Sequence, residues 1–233
     1  MRIAIFSDVF YPELSGISDS LISLVKELAI IGHKIRFYVP SYPEKDYAVT
    51  GVRKKELSLG PNVSFKRLFS FPYPTGTNQG RMVIPFPLFL FDIKKFNPDI
   101  IHTQLFFGAG IDALLASAIL KKPIIGTNHT AIKEFIKFSP LKGEWVSNLA
   151  LRYVNWYYGK CALTTAPSHS VIEEMKSYGF KKEHLIISNP VDTRTFVPID
   201  SKKKLKKKFG FGNYVVIHAG RLSYERKIIP IGS

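Results

Sequence analysis

Cysteine is almost missing from this chain. Cys161 stands alone among 233 residues, so no internal disulfide can form, and zinc sites built from cysteine pairs are excluded with it. No His-x3-His spacing stands in for them. Long apolar runs are missing too. The longest uncharged one, MVIPFPLFLF at 82–91, is interrupted by prolines and falls well short of the roughly 20 residues that cross a bilayer. The opening MRIAIFSDVF has no charged, long-apolar and small-residue regions in succession, so it does not read as a secretory leader and a cytoplasmic protein is expected. The first 30 residues contain no G-x-G-x-x-G, which argues against a nicotinamide enzyme. No repeat of 20–50 residues and no low-complexity tract beyond one lysine run interrupts the chain.

Acidic side chains are scarce: 18 Asp and Glu stand against 33 Lys and Arg, a formal net charge of +15. Such a balance favours anionic partners, whether nucleic acid, an anionic lipid surface or phosphorylated small molecules. No nucleic-acid motif accompanies the charge, so nucleic acid is not expected.

What is present is a run of βα units. RIAIFSDV (2–9) reads as a buried strand, and Ile17, Leu21, Leu24, Val25, Leu28 and Ile31 then recur at helical spacing. GHKIRFYVP (32–40) stops the helix at a glycine and returns to strand. DIIHTQ (99–104), GIDALLASAILKK (110–122), PIIGTNHT (123–130), a helix over about 144–160, ALTTAPS (162–168), VIEEMKSYG (171–179) and HLIISNPVD (184–192) continue the alternation. About six strands alternating with helices predict an α/β fold, an open, doubly wound, Rossmann-like parallel sheet. FKRLFSFPYPTGTNQGRMVIPFP (65–87) is rich in Pro and Gly and reads as a loop. The domain boundaries expected are 1–195 for the Rossmann-like domain, 196–212 for a basic linker helix, and 213–233 for the first strand and loop of a second domain.

In open parallel sheets, ligands collect beyond the carboxyl ends of the strands, where loops converge and helix N-termini offer unpaired N–H groups. Several motifs fall there. In DVFYPELSGIS, Gly16 would let the backbone approach a ligand closely, with the Gly16 and Ile17 N–H groups pointing outward; a tight turn is the plainer reading. His129 ends the strand of GTNHT and is followed by Thr130; His102 and Gln104 end the strand of IHTQ. A lone strand-end histidine is more often structural, but two on neighbouring strands point to one shared cleft. Ser168 of APSHS reads as a helix cap. Arg221, Arg226 and Lys227 of AGRLSYERK suit the gripping of a diphosphate, against the alternative of a solvated charged turn. In SKKKLKKKFGF, Leu205 and Phe209 give a helix one apolar side and leave six lysines solvated. Near anionic lipid each such lysine would contribute about 1 kcal/mol.

Taken together, DVFYPELSGIS, GH at 32–33, NPDIIHTQ, GTNHT, APSHSVIEEMKSYG, ISNPVDTRTF and HAGRLSYERK resemble the family 4 (group 1) retaining glycosyltransferases of the two-Rossmann-domain, GT-B type. SGIS, IHTQ and the HT of GTNHT look most like the branch that glucosylates diacylglycerol and related lipids. The resemblance implies half of a GT-B fold, an acceptor-binding N-terminal domain followed by a truncated donor domain that lacks the paired-glutamate motif. It implies a nucleotide sugar as donor substrate, a UDP-sugar in the first instance, with no tightly bound cofactor and no metal ion. Lipids or saccharides are the implied acceptors, and a peripheral place for a cytoplasmic protein at the inner face of the membrane is compatible with them. By matching positions, His129 is the catalytic candidate, close to the reacting carbon. Gly16 would lie beside the donor phosphates, and Arg221 with Lys227 or Arg226 would neutralise the leaving diphosphate. Asp8, Ser15, His102, Gln104 and Thr130 are the candidates for the acceptor-side cleft. A reading of a different class is a non-catalytic module that uses the lysine helix and the aromatic stretch 69–91 to dock on a membrane surface or a partner.

Overall fold

The computed structural model describes residues 1–51, 53–73, 79–129, 143–198 and 201–216. Seven strands form one sheet: β1 (Arg2–Phe6), β2 (Lys34–Pro40), β3 (Val63–Leu68), β6 (Ile100–Thr103), β7 (Ile124–Thr127), β8 (Leu163–Ala166) and β9 (His184–Ile186). Their order is β3-β2-β1-β6-β7-β8-β9, and every neighbouring pair is parallel. Two further strands, β4 (Ser70–Pro72) and β5 (Arg81–Val83), make a separate antiparallel hairpin. The helices are α1 (Gly16–Ile30), α2 (Glu44–Ala48), α3 (Phe89–Phe96), α4 (Gly108–Leu120), α5 (Glu144–Tyr158), α6 (His169–Ser177) and α7 (Lys202–Lys208).

The alternation of side chains along β1 shows why helices lie on both faces. Ile3 and Ile5 join a cluster with Leu21 and Val25 of α1, whereas Ala4 and Phe6 point the other way into a cluster with Phe89, Ile93, Ala109 and Ala113. A strand buried on both faces must be apolar throughout, as RIAIF nearly is. Helix α1 begins where Ser15 turns extended and its Oγ accepts the Ile17 N–H at 3.2 Å, one of the donors that a helix start leaves unpaired. Its end at Gly32 needs the left-handed backbone, φ 87°, that glycine adopts without penalty.

The stretch 65–87, expected to be a loop, instead holds most of strand β3 and the whole described part of the β4–β5 hairpin. β3 lies at the sheet edge, and its apolar residues Val63, Phe65 and Leu68 are interspersed with Ser64, Lys66 and Arg67. What anchors it is a long-range contact, Phe65 stacked on Phe37 with ring centroids 5.1 Å apart. The sequence separation between those rings hides the strand from local pattern.

Strand order reverses beside β1. The chain steps outward through β2 and β3, then returns to lay β6 on the other side of β1 and proceeds to β9. The crevice at that reversal, beyond the carboxyl ends of β1 and β6, is where an open α/β sheet binds ligands.

The chain divides into two compact units, Met1–Pro190 and Val191–Ser233. In the second, α7 is capped by Ser201, whose Oγ accepts the Lys204 N–H at 3.4 Å, and none of its residues is buried. Residues 213–216 are described and carry no strand; the remainder of the strand and loop expected over 213–233 lies outside the described residues. No described helix is long and apolar enough to cross a membrane.

Candidate active site

The register of the parallel strands determines which side chains meet at the crevice. Ile5 stands beside His102, His102 beside Ile125, and Thr127 beside Thr165. Successive side chains of a strand alternate between faces. His102, Gln104, Thr127, His129 and Thr165 therefore share the face that carries Ile3, Ile5 and α1. At the strand ends this apolar face turns polar.

These side chains form one continuous network. Gln104 Oε1 lies 2.7 Å from His129 Nε2, and Gln104 Nε2 lies 2.9 Å from His102 Nε2. His102 Nε2 is also 2.8 Å from Thr127 Oγ1, which is 2.7 Å from Thr165 Oγ1. Tyr158 donates its hydroxyl to the Thr127 carbonyl at 2.9 Å and steadies the end of β7 from beneath. Tyr158 reaches that position because residue 126 is glycine: a Cβ there would stand 2.7 Å from the tyrosine ring and 2.8 Å from Cys161 Sγ. Burial lowers the pKa of both histidines to about 4, with the neighbouring His129 adding a smaller push on His102. Both rings are neutral at pH 7 and serve as hydrogen-bonding groups, not as cations.

Asp8 follows β1 and is 4% exposed. Its Oδ1 accepts the Ala109 N–H at 2.7 Å and its Oδ2 the Gly110 N–H at 3.4 Å. The carboxylate thus caps α4 across the strand reversal, joining the β1 loop to the helix that follows β6. Burial raises its pKa to about 6 against the opposing pull of those N–H groups. Asp112, one turn along α4, is raised to about 7 by burial and then by the charge of Asp8.

Ser15 and Gly16 lie at the start of α1. The Ser15 hydroxyl takes up the Ile17 N–H, a donor expected from sequence to point outward at a ligand. Gly16 has no positive φ, and a Cβ built on it meets nothing within 4 Å. The backbone conformation therefore does not demand glycine here; the residue leaves open space in front of the helix. Ser168 occupies the first cap position of α6, but its side chain bonds Ser170 Oγ at 2.9 Å and caps no backbone N–H.

Of the residues singled out from sequence, the structure brings His102, Gln104 and His129 into one bonded set. Thr130, Arg221, Arg226 and Lys227 lie outside the described residues. Thr127 and Thr165 were missed, although the alternation 125-127-129 and the APS turn after Thr165 carried the signal. Asp112 was missed as well, because a carboxylate inside an Ala-rich helix reads as solvent-facing.

Comparison with known proteins agrees with this geometry. Among solved structures, a sucrose-phosphate synthase from Thermosynechococcus elongatus superposes with a TM-score of 0.60 at 12% identity, over 91% of this chain and 53% of that one. A glycosyltransferase from Rickettsia africae gives 0.56 at 17% identity, over 92% and 51%. The fold is accordingly the Rossmann-like half of a GT-B glycosyltransferase. The sequence matches the family described as Glycosyltransferase Family 4 over residues 14–195, and the chain belongs to that family. Curated relatives include an alpha-monoglucosyldiacylglycerol synthase of Streptococcus pneumoniae, 27% identical over 98% of this chain and 50% of that protein. A GDP-mannose-dependent alpha-mannosyltransferase of Corynebacterium glutamicum is 24% identical over 98% and 53%. The chain spans about half the length of these relatives.

Proposed function

We propose that residues 1–190 form the acceptor-side half of a glycosyltransferase that moves a sugar from a nucleotide-sugar donor to a lipid or saccharide hydroxyl with retention of configuration. The observation that carries this reading is the polar network of His102, Gln104 and His129 at the strand reversal, beside the open space before Gly16. In the reaction, the bond from the sugar's anomeric carbon to the diphosphate oxygen breaks, and a bond to the acceptor oxygen forms. The acceptor's proton leaves toward the departing phosphate. His129 faces the transferred sugar, Gly16 admits the donor phosphates, and Asp8 and Ser15 hold the loop between them. Arg221, with Lys227 or Arg226, offsets the charge that builds on the leaving diphosphate, which is the largest electrostatic demand of such a step. No metal ion is assigned a role. The α-linked products named for the relatives support retention, since nucleotide sugars such as UDP-glucose and GDP-mannose are themselves α-linked.

A two-domain site needs a donor-side domain, so transfer by residues 1–233 alone is expected to be slow. Incubation with radiolabelled UDP-glucose or GDP-mannose and glycerolipid vesicles tests this: weak label transfer, lost in His129→Ala, is expected. Robust turnover by this chain would refute the need for a second domain.

A second reading, compatible with the first, is docking at the cytoplasmic face of an anionic membrane. Phe71 and Met82 stand opposite each other in the β4–β5 hairpin, both exposed, while Ser70 and Val83 of the adjacent pair face inward. Phe69, Tyr73, Ile84, Phe86, Leu88 and Phe91 extend the exposed apolar series toward α3, whose last turn carries Lys94 and Lys95. Monomeric proteins seldom leave such patches to water, and apolar side chains flanked by lysine suit an anionic lipid interface. Co-sedimentation with vesicles over a salt series tests it; binding indifferent to lipid charge counts against it.

A further inference from the structure

We propose that Gln104 is a positioning residue that fixes the tautomer of His129, with Nε2 protonated and Nδ1 left as a lone-pair acceptor for a neutral hydroxyl. The inference rests on the reading of His129 as the sugar-facing group and assigns what that group recognises.

The tautomers follow from a count of protons. A glutamine amide has one acceptor end and one donor end. Its Oε1 faces His129 Nε2 at 2.7 Å, so that nitrogen must carry a hydrogen to donate. Its Nε2 faces His102 Nε2 at 2.9 Å, so the second imidazole must offer a lone pair there and carry its own hydrogen on Nδ1. Thr127 Oγ1, 2.8 Å from the same nitrogen, then donates to it and in turn accepts from Thr165 at 2.7 Å. Each contact along the chain then pairs a donor with an acceptor, with the lone pair of His102 Nε2 shared by two donors. A single amide between two imidazoles thus forces opposite tautomers on them. Adding a proton to His102 would set two donors against each other, and burial already lowers the affinity of both rings for that proton. No carboxylate among the described residues hydrogen-bonds either ring to stabilise a cation.

The consequence for recognition follows from what is left over. With Nε2 committed to Gln104, only Nδ1 of His129 has no partner among the described residues. A neutral imidazole with an exposed lone pair accepts an O–H and repels anionic oxygen. The position therefore selects a polyol hydroxyl and rejects a phosphate or carboxylate, which the same residue would attract as a cation.

The test is long-range proton–nitrogen NMR on the 233-residue chain labelled with 15N-histidine, recorded between pH 5 and 8. Expected are Nε2–H for His129 and Nδ1–H for His102, the less common form of a free histidine in water, both neutral down to pH 5. The same tautomer on both rings, the reverse assignment, or an imidazolium at pH 6 would overturn the proposal. Gln104→Glu places a carboxylate at the junction and is expected to raise the His129 pKa; Gln104→Ala is expected to release His102 to the common tautomer. The wild-type spectrum decides the matter even where a variant does not fold. Addition of methyl α-glucoside is expected to move the His129 Nδ1 resonance and inorganic phosphate to leave it in place. A change with phosphate, or with neither, would overturn the hydroxyl assignment. None of these readouts needs sugar transfer, so a failed transfer assay with correct tautomers would discount the proposed function and leave Gln104's role standing.

Discussion

Asp8 accepts the backbone N–H of Ala109 at 2.7 Å across 101 residues of chain, and through that bond the loop after β1 is tied to the helix after β6. Removal of the acceptor leaves two buried helix N–H groups without partners. Asp8→Ala is expected to cost about 1–3 kcal/mol, and Asp8→Asn, which keeps an acceptor oxygen, distinctly less. Urea unfolding followed by circular dichroism distinguishes the two; equal losses would show that the bond contributes little.

The pair Asp8 and Asp112 makes a pH-dependent contribution with a definite sign. Each has a folded pKa above its ordinary value, about 6 and about 7 against 3.8. Each therefore binds more protons when folded, favours the fold at low pH, and loses that contribution as pH rises from about 4 through 6 to 7. His102 and His129 act in the opposite sense, since their folded values near 4 lie below the ordinary 6.5. Their contribution is present above 6.5 and lost as pH falls toward 4. The ratio of Asp112→Asn to wild type isolates one member, because the histidines are common to both. The substitution is expected to become more favourable by roughly 1–3 kcal/mol between pH 4 and 8. Midpoints of urea unfolding at those two pH values measure it, and a flat or opposite trend would contradict the assignment.

Two glycines predict opposite outcomes. A Cβ on Gly108 would stand 1.8 Å from the Val83 carbonyl oxygen, a backbone atom that cannot swing away, so Gly108→Ala is expected to destabilise by about 3 kcal/mol. A Cβ on Gly16 meets nothing within 4 Å, so Gly16→Ala is expected to leave stability within about 1 kcal/mol and to weaken transfer selectively through the donor's KM. Thermal melts with the radiolabel assay separate the two effects.

The exposed hairpin yields a further expectation. Phe71→Ser with Met82→Ser removes two facing apolar side chains that are 42% and 49% exposed. Folding should not suffer, and vesicle affinity should drop at least tenfold, given about 1.5–3 kcal/mol for each large apolar side chain buried. Unchanged co-sedimentation would remove this surface from the account.

The βα alternation was legible from sequence because its strands are short apolar runs closed by turn residues, and that is why the seven-strand sheet was expected nearly complete. β3 escaped because Phe65 finds its partner, Phe37, 28 residues earlier and because the strand is an edge. The pairing of His102 with His129 was legible from matching strand ends. Its meaning was not, since the amide that joins them, Gln104, and the hydroxyls of Thr127 and Thr165 acquire a role only when the three strands β6, β7 and β8 are laid in register. Asp8 was expected in the cleft from its place after β1; that its carboxylate is spent on α4 depends on a helix a hundred residues away.

The central claim is that the carboxyl-end crevice between β1 and β6 holds the sugars. Titration of the 15N-labelled chain with UDP-glucose, GDP-mannose and glycolipid vesicles tests it most directly, read as amide shifts across the molecule. The account predicts changes at Gly16, Gln104 and His129. Changes confined to the opposite, amino-end side of the sheet, at Arg2, Lys34 and Asn62, would contradict it.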